Sequence, residues 1–320
     1  MKRKSILLLL LPFLAITKSY CFEPAVKQNV RPFSQLEIGV NASTLGLGFD
    51  FATPINDYLS LRGGYTFMPK FTVSMEFGVG IEEDAPPVGE GEVVESKFDK
   101  MASIVEGLTG SKVNDHVTML AQPTMNNFKL LVDVHPFNNK HWRFTTGFYA
   151  GPSTIARVSN SAEDMPTLYA ANMYNTIYER VCNDEPIIEI GGMAPALNPE
   201  HELYNTIVSS GRLGFAVGNR ADGTVYKMEP NEYCMVGVEA KTNAFKPYLG
   251  FGYSGGNGKT HLNLDCGVLF WGGAPDIITH DGTNLTHDIT NIEGQMGKYM
   301  DLARRFTVFP MLSIGISRVL

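Results

Sequence analysis

Residues 261–270 read HLNLDCGVLF, a stretch in which apolar and polar side chains alternate. Leu262, Leu264 and Val268 occupy even positions, and Asn263 and Asp265 occupy odd positions between them. A β-strand points successive side chains to opposite faces, so this stretch has one apolar face and one polar face that carries a charge. The stretch therefore predicts a strand that separates an apolar surrounding from a polar one.

The same alternation recurs along the chain, and most of the alternating segments are close in length to the roughly 9–11 residues that a tilted strand needs to cross a membrane. Together they predict an all-β fold, namely a closed antiparallel transmembrane β-barrel with lipid outside and polar groups inside. The nine segments lie near 36–43, 45–52, 58–68, 127–136, 141–151, 232–241, 245–254, 261–271 and 306–319.

The number of strands depends on residues 36–52, where the apolar phase moves from even to odd positions between Val40 and Leu45. Either a β-bulge within one bent strand or a tight turn between two strands changes the phase in this way. A closed antiparallel barrel of the bacterial type has an even number of strands. The bulge therefore gives eight strands, whereas the turn implies an unrecognised strand and a total of ten. We favour the bulge and eight strands.

Three connections are short and rich in Pro, Asn or Asp, at 53–57, 138–140 and 241–243. Such residues suit turns, and short turns are typical of the periplasmic end of an outer-membrane barrel.

The odd positions from Leu59 to Ile81 stay largely apolar. A strand of that length exceeds the membrane, so its second half is predicted to project beyond the bilayer as a hairpin arm or sheet edge.

The N-terminus has the pattern of an export signal. Basic residues at positions 2–4 precede an apolar run at 6–16, which is too short for a membrane-spanning helix of roughly 20 residues. The pattern predicts a removed signal peptide over 1–21, followed by a lead-in over 22–35. Lipidation at Cys21 is disfavoured because the three residues before it lack the small apolar side chains of a lipoprotein signal.

The barrel is predicted to occupy 36–320, with insertions at 82–126, 155–230 and 274–304. Apolar residues repeat at helical spacing in all three insertions, and each such stripe is expected to pack onto a loop or the barrel rim. The alternative is a surface for a partner or lipid. The stripes are Val94, Phe98, Met101, Val105 and Leu108; Ala170, Tyr174, Ile177 and Val181; and Leu285, Ile289, Ile292, Met296, Tyr299 and Ala303.

Charge and cysteine content exclude several classes of function. The formal net charge is -7, and removal of the basic signal makes the chain more acidic, so it has no electrostatic attraction to nucleic acid. The cysteines form no C-x-x-C pair, so a zinc site is unsupported, while a disulfide stays open. We predict no cofactor and no metal.

If the apolar phase faces lipid, the polar phase faces the lumen and carries charges of both signs. The interior of an eight-stranded barrel is just wide enough for its own side chains, and buried charges persist when they are paired. A salt-bridged plug is therefore favoured over an ion-conducting pore. The predicted lumen charge network is Glu37, Asp50, Arg62, Lys129, Asp133, Arg143, Glu239, Lys246 and Asp265.

Two motifs suggest ligand binding and are interpreted otherwise. Residues 256–260 resemble a phosphate loop, but Tyr253 stands where that loop requires its first glycine, so a turn between two strands is predicted. The tripeptide Thr-His-Asp occurs at 279–281 and again at 286–288. These residue types can bind a metal, yet polar capping of a loop and a helix start is favoured.

Several strand sequences together resemble a widespread Gram-negative family of small outer-membrane β-barrel proteins whose function is mostly undefined. The resemblance implies an outer-membrane location, contact with outer-membrane lipid and insertion by the barrel-assembly machinery. Such barrels usually end in Phe, whereas this chain ends in Leu320. The resemblance rests on LGLG (45–48), NDYLSLRGGY (56–65), KLLVDVHPF (129–137), TGFY (146–149), KPYLGFG (246–252), DCGVLF (265–270) and FPMLSIGISR (309–318).

We predict a structural anchor or recognition protein whose loops meet a surface, a ligand or an envelope partner. The alternatives are a narrow diffusion channel, a lipid-modifying barrel enzyme and a soluble periplasmic β-sandwich. An enzyme could use His135 beside Asp133 together with a serine, but no serine motif supports it. We therefore expect that the protein is not an enzyme and assign no catalytic residue.

Overall fold

The computed structural model describes residues 31–78, 102–103, 105–107, 110, 112–114, 116–137, 140–187, 196–256, 258–292 and 294–320. The predicted signal peptide and most of the stripe that begins at Val94 lie outside these residues. The strands are β1 (Glu37–Ser43), β2 (Gly46–Pro54), β3 (Leu59–Phe67), β4 (Val73–Gly78), β5 (His116–Pro123), β6 (Asn127–Val134), β7 (Trp142–Ala150), β8 (Thr154–Asn160), β9 (Phe215–Asn219), β10 (Val225–Met228), β11 (Gly237–Lys241), β12 (Phe245–Gly255), β13 (Thr260–Leu269), β14 (Asp276–Thr279) and β15 (Phe309–Val319). The helices are α1 (Met165–Cys182), α2 (Glu202–Ser210) and α3 (Gly294–Arg305).

Eight strands form a closed barrel in the order β1-β15-β13-β12-β7-β6-β3-β2, and every neighbouring pair is antiparallel. The first and last strands of the chain close the ring, because β1 pairs with β15 from Glu37↔Val319 to Ser43↔Ser313. The predicted fold class and the favoured strand number are therefore confirmed.

The predicted number of barrel strands is correct, although two of the predicted strand assignments are wrong and offset each other. Residues 36–52 are not one bent strand, because β1 and β2 form a hairpin in which Ser43 pairs with Gly46. Gly46 adopts a φ of 104°, which a residue with a Cβ rarely adopts, and the Ser43 hydroxyl binds the turn backbone. The segment 232–241 is not a barrel strand either, because β11 pairs with β8 and β14 in a separate sheet.

The barrel has two different ends. At one end, which we call the turn end, short connections join β2 to β3, β6 to β7 and β12 to β13. Residues 256–260 therefore connect two antiparallel strands, as predicted. At the other end, a tight turn joins β1 to β2, and elsewhere the chain runs on into further structure. Residues 241–243 lie at this end between β11 of the separate sheet and β12, so the prediction that they form a turn between two barrel strands is wrong.

The structure at the other end, which we call the head, contains β4, β5, β8–β11, β14 and the three helices. Its main sheet has the order β14-β11-β8-β5-β4, and β9 and β10 form a separate hairpin. The strand β4 is an edge strand that follows β3 after a short connection. This agrees with the predicted projection of 59–81 beyond the barrel as far as Gly78, since 79–81 lie outside the described residues.

An apolar core holds the head together. In α1, the predicted stripe Ala170, Tyr174, Ile177 and Val181 is buried, and it packs with Val105, Ile207 and Leu213. The third stripe was predicted as one helix, which is wrong because α3 begins only at Gly294. Leu285 and Ile289 precede that helix and are nevertheless buried in the core beneath β9 and β10.

The start of α1 shows how the head fixes its helix. Pro166 in the first turn has a preset φ that suits a helix N-terminus. The side chain of Asp164 does not cap the helix, since its Oδ2 accepts bonds from the Thr118 amide at 2.8 Å and the Ser161 hydroxyl at 3.0 Å. Asp164 thereby ties the helix start to β5. Among the described residues, the helices fall short of the length and hydropathy that crossing a bilayer requires.

Candidate functional site

Apolar side chains cover the outside of the barrel. On β13, Leu262 is 51% exposed while Asp265 on the opposite face is 8% exposed. Leu264 lies on the same outer face and pairs with Tyr253 and Ile314 of the neighbouring strands. All eight barrel strands contribute exposed apolar residues to this surface: Ile38, Val40, Leu47, Phe49, Phe51, Phe67, Phe128, Leu130, Phe144, Phe245, Leu249, Phe251, Leu262, Leu312, Ile314 and Ile316. We call this surface the apolar band.

Four charged residues meet in the middle of the lumen. Arg62 Nη1 lies 3.0 Å from Asp265 Oδ2, and Arg62 Nη2 lies 2.9 Å from Asp133 Oδ1. Arg143 Nη2 lies 2.8 Å from Asp265 Oδ1. Three strands separate β3 from β13 in either direction around the ring. The ion pair between Arg62 and Asp265 therefore crosses the lumen, and we call these four residues the central cluster.

Several polar groups around the central cluster are also paired. Lys129 Nζ lies 2.5 Å from Asp50 Oδ1, and Asn41 Nδ2 donates to Asp50 Oδ2 at 2.8 Å. Thr145 Oγ1 donates to Asp133 Oδ1 at 2.6 Å. Lys246 is 3% exposed, and its Nζ lies near Asn127 Oδ1 and backbone carbonyls rather than a carboxylate. The cluster is thus held by hydrogen bonds as well as by charge.

An apolar layer closes the lumen on the head side of the central cluster. Leu45, Leu131, Tyr149, Tyr248, Leu269 and Met311 are buried together there. Tyr149 donates its hydroxyl hydrogen to Met311 Sδ at 3.3 Å, across the barrel from β7 to β15. This layer was not predicted from the sequence because its members interrupt the polar phase of their strands. The available signal was the loss of alternation near the head, as in Val268-Leu269-Phe270.

A polar cavity of about 310 Å³ occupies the lumen between the central cluster and the turn end. Glu37 lies at its mouth, where its carboxylate accepts from the Ser317 hydroxyl and its Oε1 lies 3.3 Å from His261 Nδ1. His135 Nε2 lies 3.2 Å from Ser60 Oγ on the same cavity wall. The lumen is therefore open toward the turn end only as far as Arg62 and Asp265.

One predicted lumen residue is misplaced. Glu239 belongs to β11 in the head sheet, where its carboxylate pairs with Arg157 Nε at 3.0 Å and Lys241 Nζ at 3.0 Å. These two cations hold the pKa of Glu239 below its ordinary value, the Lys241 hydrogen bond most strongly. Its inclusion in the lumen set is wrong, because the apolar face of β11 lies against the head core and the polar face meets solvent.

The first Thr-His-Asp motif forms a polar cluster in the head. Tyr226 donates to Asp281 Oδ2 at 2.7 Å, and the Thr283 amide donates to Asp281 Oδ1 at 3.0 Å. Burial raises the pKa of Tyr226 to about 12. Burial opposes ionisation of Asp281, but the hydrogen bonds from Thr279, Thr283 and Tyr226 outweigh it and lower the pKa of Asp281. Across the described parts of the chain, no three His, Cys, Asp or Glu side chains converge as metal ligands.

Comparison with known proteins gives only a distant structural likeness. No family model matches the sequence, and no curated protein matches it. Two solved structures, CarO2 and CarO of Acinetobacter baumannii, are similar at 12% identity, with TM-scores of 0.39 and 0.37. The match to CarO2 covers 91% of this chain and 100% of CarO2. The match to CarO covers 91% of this chain and 99% of CarO. The fold described above rests on the strand pairing of this chain itself.

Proposed function

We propose that this protein is an outer-membrane barrel that anchors the head at the membrane surface, where the head binds a ligand or an envelope partner. The observation that carries the proposal is the apolar band, to which all eight strands contribute, while the charged side chains of these strands point inward apart from Arg318 near the turn end of β15. A closed barrel leaves no unpaired strand edge in lipid. Monomeric soluble proteins rarely expose large contiguous apolar surfaces, and such surfaces mark sites of contact with a membrane or a protein.

The two ends of the barrel give the orientation. The turn end carries short connections, which in outer-membrane barrels face the periplasm, whereas long connections face outward. In this orientation the head stands outside the cell. Export through the signal peptide over 1–21 and insertion by the barrel-assembly machinery are the steps that this location requires.

The lumen supports an anchor rather than a channel. The ion pair between Arg62 and Asp265 crosses the middle of the lumen, and the buried layer around Tyr149 and Leu131 closes it a second time. An ion that enters the turn end would have to displace paired charges and then pass a dry apolar layer, and both are unfavourable. We accordingly propose a binding role for the head and no catalytic role for the barrel.

Membrane fractionation combined with heat-modifiable gel migration tests the location. We expect the protein to remain in outer membranes after a urea wash, and to migrate faster unheated than after boiling because the closed barrel resists detergent. The variant Ile314→Arg places a charge in the apolar band and serves as the control that fails to accumulate in membranes. Recovery of the wild type as a soluble protein, without a heat-dependent shift, contradicts the proposal.

Planar-bilayer recording separates the anchor from the narrow channel. We expect no conductance steps above those of protein-free bilayers, for the wild type and for the double variant Arg62→Ala, Asp265→Ala alike. The double variant removes the ion pair but leaves the apolar layer in place. Regular steps from the wild type favour the diffusion channel.

A further inference from the structure

The head contains a second cavity, of about 460 Å³, with a lining unlike that of the lumen. It lies between the main head sheet, the hairpin β9–β10 and α3. Five methionines line it, namely Met75, Met119, Met228, Met296 and Met300. Phe77 and Phe215 stand beside them. Glu76, His116 and Tyr299 are the titratable residues among the described lining, and exposed Glu76 alternates with Met75 and Phe77, which places its side chain on the opposite face of β4.

The volume and lining of this cavity are those of a site for an apolar molecule. Small-molecule sites in proteins measure about 300–1,000 Å³ and are mostly apolar, with a few polar groups. Methionine side chains are flexible and polarisable, so they adapt to apolar ligands of varied shape. Transfer of a hydrocarbon chain from water to such a lining is favourable in free energy.

Exposed apolar residues lie along the chain between the cavity and the apolar band. Tyr299 lines the cavity and is 44% exposed. Leu302 lies three residues further along α3, Phe306 follows the end of the helix at Arg305, and both are exposed. Val308 is also exposed and directly precedes β15, on which Leu312 faces outward. A short segment with exposed apolar side chains thus joins the helix that lines the cavity to a strand of the apolar band.

We propose that the head cavity binds the hydrocarbon chain of a single-chain lipid from the external face of the membrane. The exposed side chains of Tyr299, Leu302 and Phe306 would offer the lipid chain apolar contacts between β15 and the cavity. The inference rests on the proposed function, since it requires the apolar band to lie in lipid.

Photolabelling in phospholipid nanodiscs tests the inference. The probe is a monoacylglycerol whose chain ends in a diazirine, and labelled peptides are identified by mass spectrometry. In the wild type we expect label on the peptides of Met296 and Met300 and on the outer face of β15. The variant Ala303→Phe fills the cavity from α3, so head labelling should fall at least several-fold while labelling of β15 is unchanged.

The two labelled regions separate the two proposals. Label on β15 without label in the head overturns the cavity inference and leaves the membrane anchor standing. Label on neither region overturns the membrane anchor. Head labelling that is equal in wild type and Ala303→Phe also overturns the inference, provided that heat-modifiable migration shows both barrels folded. A second variant, Ala240→Leu, fills the cavity from the sheet side and is expected to give the same loss.

Discussion

The strands β13 in the barrel and β11 in the head carry the same alternation of apolar and charged residues, but they bury opposite faces. In β13, Asp265 is buried at 8% exposure and Leu262 faces outward. In β11, Val238 is buried at 8% exposure and Glu239 meets solvent. A period of two fixes that a strand has two faces, and the neighbouring strands decide which face is buried. The head is apolar inside, whereas the barrel is charged inside.

Removal of one carboxylate from each region gives the largest expected difference. The substitution Asp265→Ala leaves Arg62 and Arg143 buried with Asp133 as their remaining carboxylate in the central cluster. Breaking a buried ion pair in this way costs about 3–5 kcal/mol. Glu239→Ala removes two solvent-accessible ion pairs, with Arg157 and Lys241, and costs about 0–1 kcal/mol. Urea unfolding in lipid vesicles measures both, and equal losses contradict the assignment of inside and outside.

A charge added to the outer surface of each region tests whether that surface meets lipid or water. Ile314 lies in the middle of β15 on the apolar band, so Ile314→Arg should destabilise the barrel in vesicles by about 2–4 kcal/mol. Val208 on α2 is also exposed, and Val208→Arg should change stability by no more than about 0.5 kcal/mol because that surface meets water. A tolerated arginine at position 314 argues that the barrel exterior is not in lipid.

Two glycines of the barrel differ in the space around them. A Cβ at Gly252 would lie 2.4 Å from Asp265 Oδ1 and 2.8 Å from Arg143 Nε, so this glycine makes room for the central cluster. Gly252→Ala should cost about 1–3 kcal/mol through overpacking. At Gly63 the nearest atom to a Cβ is 3.9 Å away, and Gly63→Ala should cost nothing measurable. The same unfolding assay compares them, and equal effects argue against a packed lumen.

The smallest expected effect is a pH dependence of the head. The pKa of Asp281 is lowered in the folded head, so its contribution to stability is present at neutral pH and is lost as the pH falls through that lowered pKa. Hydrogen exchange of β10 and β14 should therefore lose protection in acid relative to β2. In Asp281→Asn this acid-dependent loss should be smaller. An identical loss in the variant assigns the acid sensitivity to other carboxylates.

The barrel was predictable from sequence because its strands alternate over a length that suits a membrane. Two features were not predictable for physical reasons. The turn at Thr44 and Leu45 lacks the Asn-Gly or Asp-Gly pair that marks a tight hairpin, so a bulge explained the phase change equally well. Strand β11 alternates as a barrel strand does, and only its pairing with β8 and β14 shows that it belongs to the head.

The candidate site was likewise predictable only in part. The charges of the central cluster could be predicted because they occupy the polar phase of long strands, but their partners could not. The ion pair between Arg62 and Asp265 joins residues 203 positions apart across a closed ring. The head cavity was unpredictable because its lining comes from β4, β5, β9 and α3, which are distant in sequence. The helical stripe that includes Met296 and Tyr299 was visible, while the surface it covers was not.

Collision of spin labels with oxygen and with a water-soluble nickel chelate tests the two faces most directly. Cys266 has a free thiol on the outer face of β13. In a chain that begins at residue 22, and so lacks Cys21, it can be labelled alone after Cys182→Ser and Cys234→Ser. In nanodiscs we predict that the label at Cys266, and one at Leu262→Cys, meets oxygen and not nickel. A label at Asn263→Cys, on the polar cavity, should meet nickel. Nickel access at Cys266 and Leu262→Cys, with Asn263→Cys shielded from it, contradicts the account.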